Sequence, residues 1–275
     1  MYSGTTLKPL KKFDAHFGVH QKIDRLAFRL LMPLDVATAK LPGINQIIRF
    51  EGLDGPDGIK RKSPAEDELW HFYDPYDPAD DQILQVLEDQ KTSLIKALKS
   101  GDKTRAAFEM AWLAHGLVDG LTPAHHYPYE QELHQVSGLK KDERTSIKDK
   151  WLMPGATFSR QLANNWQIWG DKGLFFMHML FEDGLAVIIS PARFRDLSLG
   201  SGEIAAAYKK GLSQYFDEQA QLIAGYKIYD DFYRLGWTPK LMKTIHQKLM
   251  PAIIKTVALA WYCACIDAGL AENSA

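Results

Sequence analysis

Residues 81–120 read DQILQVLEDQKTSLIKALKSGDKTRAAFEMAWLAHGLVDG. Ile83, Val86, Leu87, Leu94, Ile95 and Leu98 recur at helical spacing, so a helix over about Asp81–Ser100 presents one apolar face inward. Gly101 is a helix stop, and Asp102 is an N-cap for a second helix running to about Gly120. The same period continues on both sides. Asp14 is positioned to cap a first helix of roughly Ala15–Leu31, with Phe17, Ile23, Phe28 and Leu31 inward. The aromatic run Phe158–Ile189 is helical with a break near Gly170 and Gly173, and two further long helices are expected over Gly202–Leu235 and Pro239–Ala268. Between them, Pro33–Asp80 reads as one long loop, ordered by Trp70, Phe72 and Tyr73. Thr122-Pro123 opens a short turn that Pro128 closes, and Ser137–Lys150 reads as a surface loop with a short exposed helix. No Asn-Gly hairpin joins alternating apolar runs. The expectation is one all-α domain over residues 1–275, its core completed by the helices of 202–268.

Composition narrows the function. The chain has 275 residues, with 33 Lys+Arg against 34 Asp+Glu and a net charge of -1. A protein built to grip a polyanion carries a basic excess, and none is seen here. Cys263 and Cys265, two apart in a helical run, are too close for an unstrained bridge and read as buried free thiols. The most apolar window, Met250–Leu270, contains Pro251, Lys255 and Asp267 and reads as a buried core helix, not a membrane span. No apolar signal-peptide region follows Met1, which points to a cytoplasmic location.

The nine histidines are the sharper clue. His115 and Asp119 lie four apart, on one helix face, among Met110, Ala111, Leu113, Leu117 and Val118; His125 follows six residues later. An ionised Asp facing such apolar neighbours is costly without a cation. His178 and Glu182 repeat the spacing inside the greasy stretch from Phe175 to Phe181. Asp57, in a Gly-Pro-Asp-Gly turn, precedes His71 by fourteen residues, and His16 and His20 are four apart on the first helix. Alone, each arrangement also fits ordinary helix or turn chemistry. Together they form a His and carboxylate set without thiolate, too large for one ion, that suits two or three zinc ions and phosphoester chemistry.

These motifs resemble those of the zinc-dependent bacterial phospholipases C, which share an all-α fold with the fungal single-strand-specific zinc nucleases. His115, Asp119, His125, His178 and Glu182 match that family's hallmark in order and spacing. The resemblance covers about residues 15–190. It implies a first zinc held by Asp57, His71, His115 and Asp119, and a second held by His125, His178 and Glu182. Asp119 would bridge to a third, held also by His20. In the family the amino group and carbonyl of an N-terminal Trp complete that third site. Here no Trp precedes Trp70, and His16, one turn before His20, is the candidate replacement.

The expected activity is hydrolysis of a phosphodiester by in-line attack of a zinc-bound water, with Asp57 as general base by resemblance. Glu182, where the nucleases usually have Asp, and the neutral net charge favour a phospholipid or another small phosphodiester over nucleic acid. Transient contact with a membrane surface would follow, and members of the family are typically secreted. The alternatives are a single-strand nuclease of the same fold and a catalytically silent, metal-stabilised protein. A di-iron bundle needs two Glu-x-x-His motifs, and only Glu68-x-x-His71 is found.

Overall fold

A computed structural model describes residues 1, 18–52, 55–57, 72–140, 143–144, 149 and 152–272. His16, Trp70 and His71 lie outside the described residues, as does the Asp14 cap. The chain is an all-α single-domain protein; among the described residues the only β feature is an isolated bridge between Val36 and Ala271. Helix α1 spans Val19–Leu31, and its buried residues include Val19, His20, Ile23, Asp24, Ala27, Leu30 and Leu31. The expected loop after Pro33 in fact holds three short helical pieces: Thr38–Lys40, α2 (Ile44–Ile47) and Ile48–Phe50. Each is too short to register as an 11–18-residue period.

Helices α3 (Gln82–Ser100) and α4 (Lys103–Gly120) form a hairpin. Its turn needs Gly101 at φ +74°, where a glycine costs no steric strain. The Asp102 side chain accepts a hydrogen bond from the Arg105 backbone N–H, as the sequence predicts for a cap. The two helices pack closely at Gly120. A Cβ there would stand 2.6 Å from both Ile83 Cδ1 and Phe216 Cζ.

Beyond the 3-10 turn Pro123–His126 comes α5 (Tyr129–Ser137), a helix that the polar sequence did not announce. Thr122 sits at the head of that turn, but its hydroxyl donates to the Val118 carbonyl at 2.7 Å and leaves the cap unmade. Helices α6 (Phe158–Trp169) and α7 (Leu174–Ile189) flank the expected Gly170–Gly173 break.

The helix expected over 202–235 is three: α8 (Ser201–Lys210), α9 (Leu212–Ala224) and α10 (Ile228–Leu235). A straight rod of that length would run about 50 Å, past any core this chain can build. Breaks at Gly211 (φ +80°) and Lys227 (φ +52°) turn each segment's apolar side back toward the interior.

Helix α11 (Pro239–Asp267) is the core element. Every residue from Thr256 to Cys265 is buried, as expected for a helix apolar on all sides. It is long and apolar enough to cross a membrane, yet 78% of its most apolar window is buried inside the protein, against α1, α3 and α4. Trp261, wholly buried, donates its indole N–H to the Met110 carbonyl at 3.0 Å. Pro251 lacks a donor and would clash with the carbonyl four residues back. A π turn at Ile245–Leu249 lies just upstream and admits it. Cys263 and Cys265 are buried and free, and burial pushes their thiols up to about 11 and about 12.

Candidate metal centre

Helix α4 is buried almost all round, so His115 and Asp119, one turn apart, have only protein to face. Helix α1 crosses it with His20 buried. The His20 and His115 rings stack, with centroids 4.2 Å apart and planes at 15°. Asp119 faces both rings on one edge. Its Oδ1 lies 3.2 Å from His20 Nε2 and its Oδ2 3.2 Å from His115 Nε2. Asp57 comes to the same edge, Oδ1 at 3.8 Å from His115 Nε2. The backbone of Met1 joins this group. Its nitrogen is 2.5 Å from Asp119 Oδ1, and its carbonyl oxygen is 2.8 Å from His20 Nε2. Residue 1 is not Trp, but the contacts come from main-chain atoms that any residue type carries.

The second group is built by α7 and the Pro123–His126 turn. His178 and Glu182, one turn apart, meet His125: Glu182 Oε1 lies 3.0 Å from His125 Nε2 and 3.3 Å from His178 Nε2. The two rings stack at 5.0 Å and 5°, with Phe72 packed against both. The Met1 nitrogen, 3.1 Å from Glu182 Oε1, links this group to the first. A second link comes from Lys22 on α1. Its ammonium donates to the carbonyls of Ile189, Ser190 and Ala192 at 2.5, 2.8 and 2.8 Å, satisfying the open end of α7.

Burial and charge compete throughout the centre. Burial alone would raise the Asp119 carboxyl, but the Met1 ammonium and His115 outweigh it and hold the carboxyl well below its usual range. Glu182 behaves alike, with the Met1 ammonium and His178 opposing burial. Burial disfavours charge on the Met1 amine, yet Asp119 and Glu182 hold it up at about 11. For His115 burial acts downward, while Asp119 and Glu51 carry it well above the ordinary value. His125 is dominated by burial and sits at about 4, so its ring is neutral at pH 7 with a lone pair to offer.

The donor set fits a divalent ion. Around a tetrahedral centre with bonds of about 2.0–2.1 Å, neighbouring donor atoms stand about 3.3 Å apart. The imidazole-to-carboxylate separations of 3.0, 3.2, 3.2 and 3.3 Å fall at that spacing. Two groups of donors, His20–Glu51–His115 and His125–His178–Glu182, each lie within 4.8 Å of one another and could hold a metal ion.

Seven of the residues singled out in the sequence come together: His20, Asp57, His115, Asp119, His125, His178 and Glu182. His16 and His71 lie outside the described residues. His126 faces the Gly120 carbonyl at 2.9 Å, His134 is exposed, and His246 stacks on Phe194. Two carboxylates were missed. Asp24 is wholly buried, neither oxygen has a hydrogen-bond partner among the described residues, and burial, then Glu51, raises it well above the usual carboxylate value. Its signal was present, since His20 and Asp24 share the four-residue spacing of the other pairs. Glu51 is also wholly buried, 3.1 Å from His115 Nδ1, and no local pattern marks it. Compared with family models, with curated proteins and with solved structures, the chain matches none.

Proposed function

We propose that this protein is a zinc-dependent phosphodiester hydrolase resembling the phospholipases C. The observation that carries the reading is Asp119, whose two oxygens face two imidazoles while the Met1 nitrogen connects it to a second His–Glu group. Such a paired centre suits a reaction in which an attacking and a leaving oxygen both need stabilising. Zinc held there supplies Lewis-acid polarisation of a phosphoryl oxygen and a hydroxide source near neutral pH. His20, His115 and Asp119 would hold it on one side, with Asp57 adjacent, and His125, His178 and Glu182 on the other. Asp57, half-buried and 3.8 Å from His115 Nε2, would orient the nucleophile and receive its proton.

A cleft of about 360 Å³ lies at the start of α7; none of the metal-centre residues named above lines it, so it would serve as an outlying binding surface for a head group. Tyr127, Trp166, Tyr229 and Tyr233 line it together with Glu132, Asp171 and Lys172. Aromatic faces with both signs of charge suit a zwitterionic head group better than a polyanion. The test is metal analysis of the purified protein. Hydrolysis of a phosphatidylcholine analogue and of single-stranded DNA is then compared before and after chelation. Zinc at two or more per chain with chelator-sensitive turnover of the lipid analogue is expected, and Asp57→Asn should lower kcat more than KM. Turnover of DNA alone would favour the nuclease, and zinc without turnover of either the silent metal-stabilised protein. No zinc would end the reading.

A further inference from the structure

The stacked rings of His20 and His115 are gripped at both edges. On the Nε2 edge stand Asp119, Asp57 and the Met1 carbonyl. On the Nδ1 edge stands Glu51, with Oε2 at 3.1 Å from His115 Nδ1 and 3.9 Å from His20 Nδ1. Glu51 and Asp57, six positions apart in the chain, thus reach opposite edges of one ring.

A neutral imidazole offers one lone pair and one N–H, so a ring that ligates at one nitrogen must find an acceptor at the other. Among the described residues, two buried polar atoms at the Glu51 edge, Glu51 Oε1 and His20 Nδ1, have no hydrogen-bond partner. Glu51 Oε1 is an acceptor, and His20 Nδ1 becomes a donor when Nε2 gives up the proton it donates to the Met1 carbonyl and ligates instead. Buried polar atoms are normally paired, and Glu51, 3.9 Å from His20 Nδ1 through Oε2, is the carboxylate in reach of both rings at this edge.

We propose that Glu51 is a positioning residue that takes the Nδ1–H of both His20 and His115, one on each oxygen, and so commits both Nε2 atoms to a cation on the Asp119 edge. The competing arrangement puts the cation on the Glu51 edge, between His20 Nδ1, Glu51 and His115 Nδ1, and makes Glu51 a ligand. Donor count favours the Asp119 edge. Two carboxylates and a carbonyl join the rings there, against Glu51 on the other side with Asp24 as its charged neighbour.

The inference rests on the zinc reading above, and its test uses zinc alone as the probe. In the zinc-loaded wild-type protein, ¹⁵N chemical shifts of the two rings should report protonated Nδ1 and metal-bound Nε2. In Glu51→Gln, one of the two acceptors becomes an NH2 that cannot serve. Zinc affinity measured by chelator competition should fall about 10–100-fold, while the zinc bound per chain at saturation stays that of wild type. A saturating stoichiometry reduced by one, an unchanged affinity, or metal-bound Nδ1 would each overturn the proposal. The ring shifts need only the wild-type protein, so they decide the matter even if Glu51→Gln does not fold. Wild type that binds no zinc removes the zinc reading as well; zinc bound through Nδ1 removes this inference alone.

Discussion

Replacing Asp119 by Asn should cost more stability than almost any other single polar change in the protein, even without metal. The side chain is buried and its two oxygens face the Met1 ammonium, His20 and His115. An amide keeps one acceptor and turns the other into a donor that points at a cationic or N–H group. Hydrogen bonds to charged groups contribute about 1.5–3 kcal/mol each, but they share one carboxylate and do not add. Removing one partner of a buried ion pair costs about 3–5 kcal/mol, because the remaining charge is left uncompensated. For a chain of this size, 1 kcal/mol moves Tm by about 2–4 °C, so Asp119→Asn should lower Tm by roughly 10 °C. The assay is thermal unfolding in excess chelator, with urea unfolding as a second measure. A Tm within 2 °C of wild type would show that Asp119 is not the hub of a buried charge network, and the centre as described would be wrong.

Glu182→Gln should abolish metal uptake at the His125–His178 group while His20 and His115 still bind; loss of all bound zinc, or of none, would contradict two separable groups. Gly120→Ala would press a methyl group against Ile83 and Phe216 at 2.6 Å. Overpacking of this kind costs about 1–3 kcal/mol, and an unchanged Tm would mean that α3 and α4 are not in close contact there. Acid should also weaken the metal-free protein. Burial holds both His125 and His126 at about 4, against an ordinary value of 6.5. The unfolded chain therefore takes up protons near 6.5 that the folded chain refuses, and stability present above 6.5 is lost as pH falls toward 4. His115, raised instead, gives its full contribution below 6.5 and does not offset this loss; Asp24, raised by burial, takes up its proton in the folded chain first and opposes part of it. A urea midpoint that stays flat from pH 7 to pH 4.5 in chelator would refute the assignment.

The sequence carried the helical class because apolar period and caps agree, as at Ile83–Leu98 with Gly101 and Asp102. It brought His115 with Asp119 and His178 with Glu182 into view because a His and a carboxylate four apart on a helix share one face, whereas His20, Asp57 and His125 entered through other spacings and the family resemblance. The three-way split of 201–235 was invisible, since helical period alone says nothing about when a rod outruns its core. Helix α5 was missed because its polar sequence shows little apolar stripe. Glu51 escaped because its role depends on two helices, α1 and α4, brought together in space from residues 20 and 115. The Met1 backbone was passed over in favour of His16 because a Trp was sought there, although main-chain atoms carry no residue-type signature.

Lys22 sits two residues from His20 and ties α1 to the end of α7, and Glu182 lies seven residues before Ile189, about 10 Å along the helix axis at 1.5 Å per residue. The tether therefore works like a lever on a short arm. A slip of an ångström where the lysine grips becomes a comparable shift between the halves of the centre, and capture by both halves at once tolerates far less play than capture by either one.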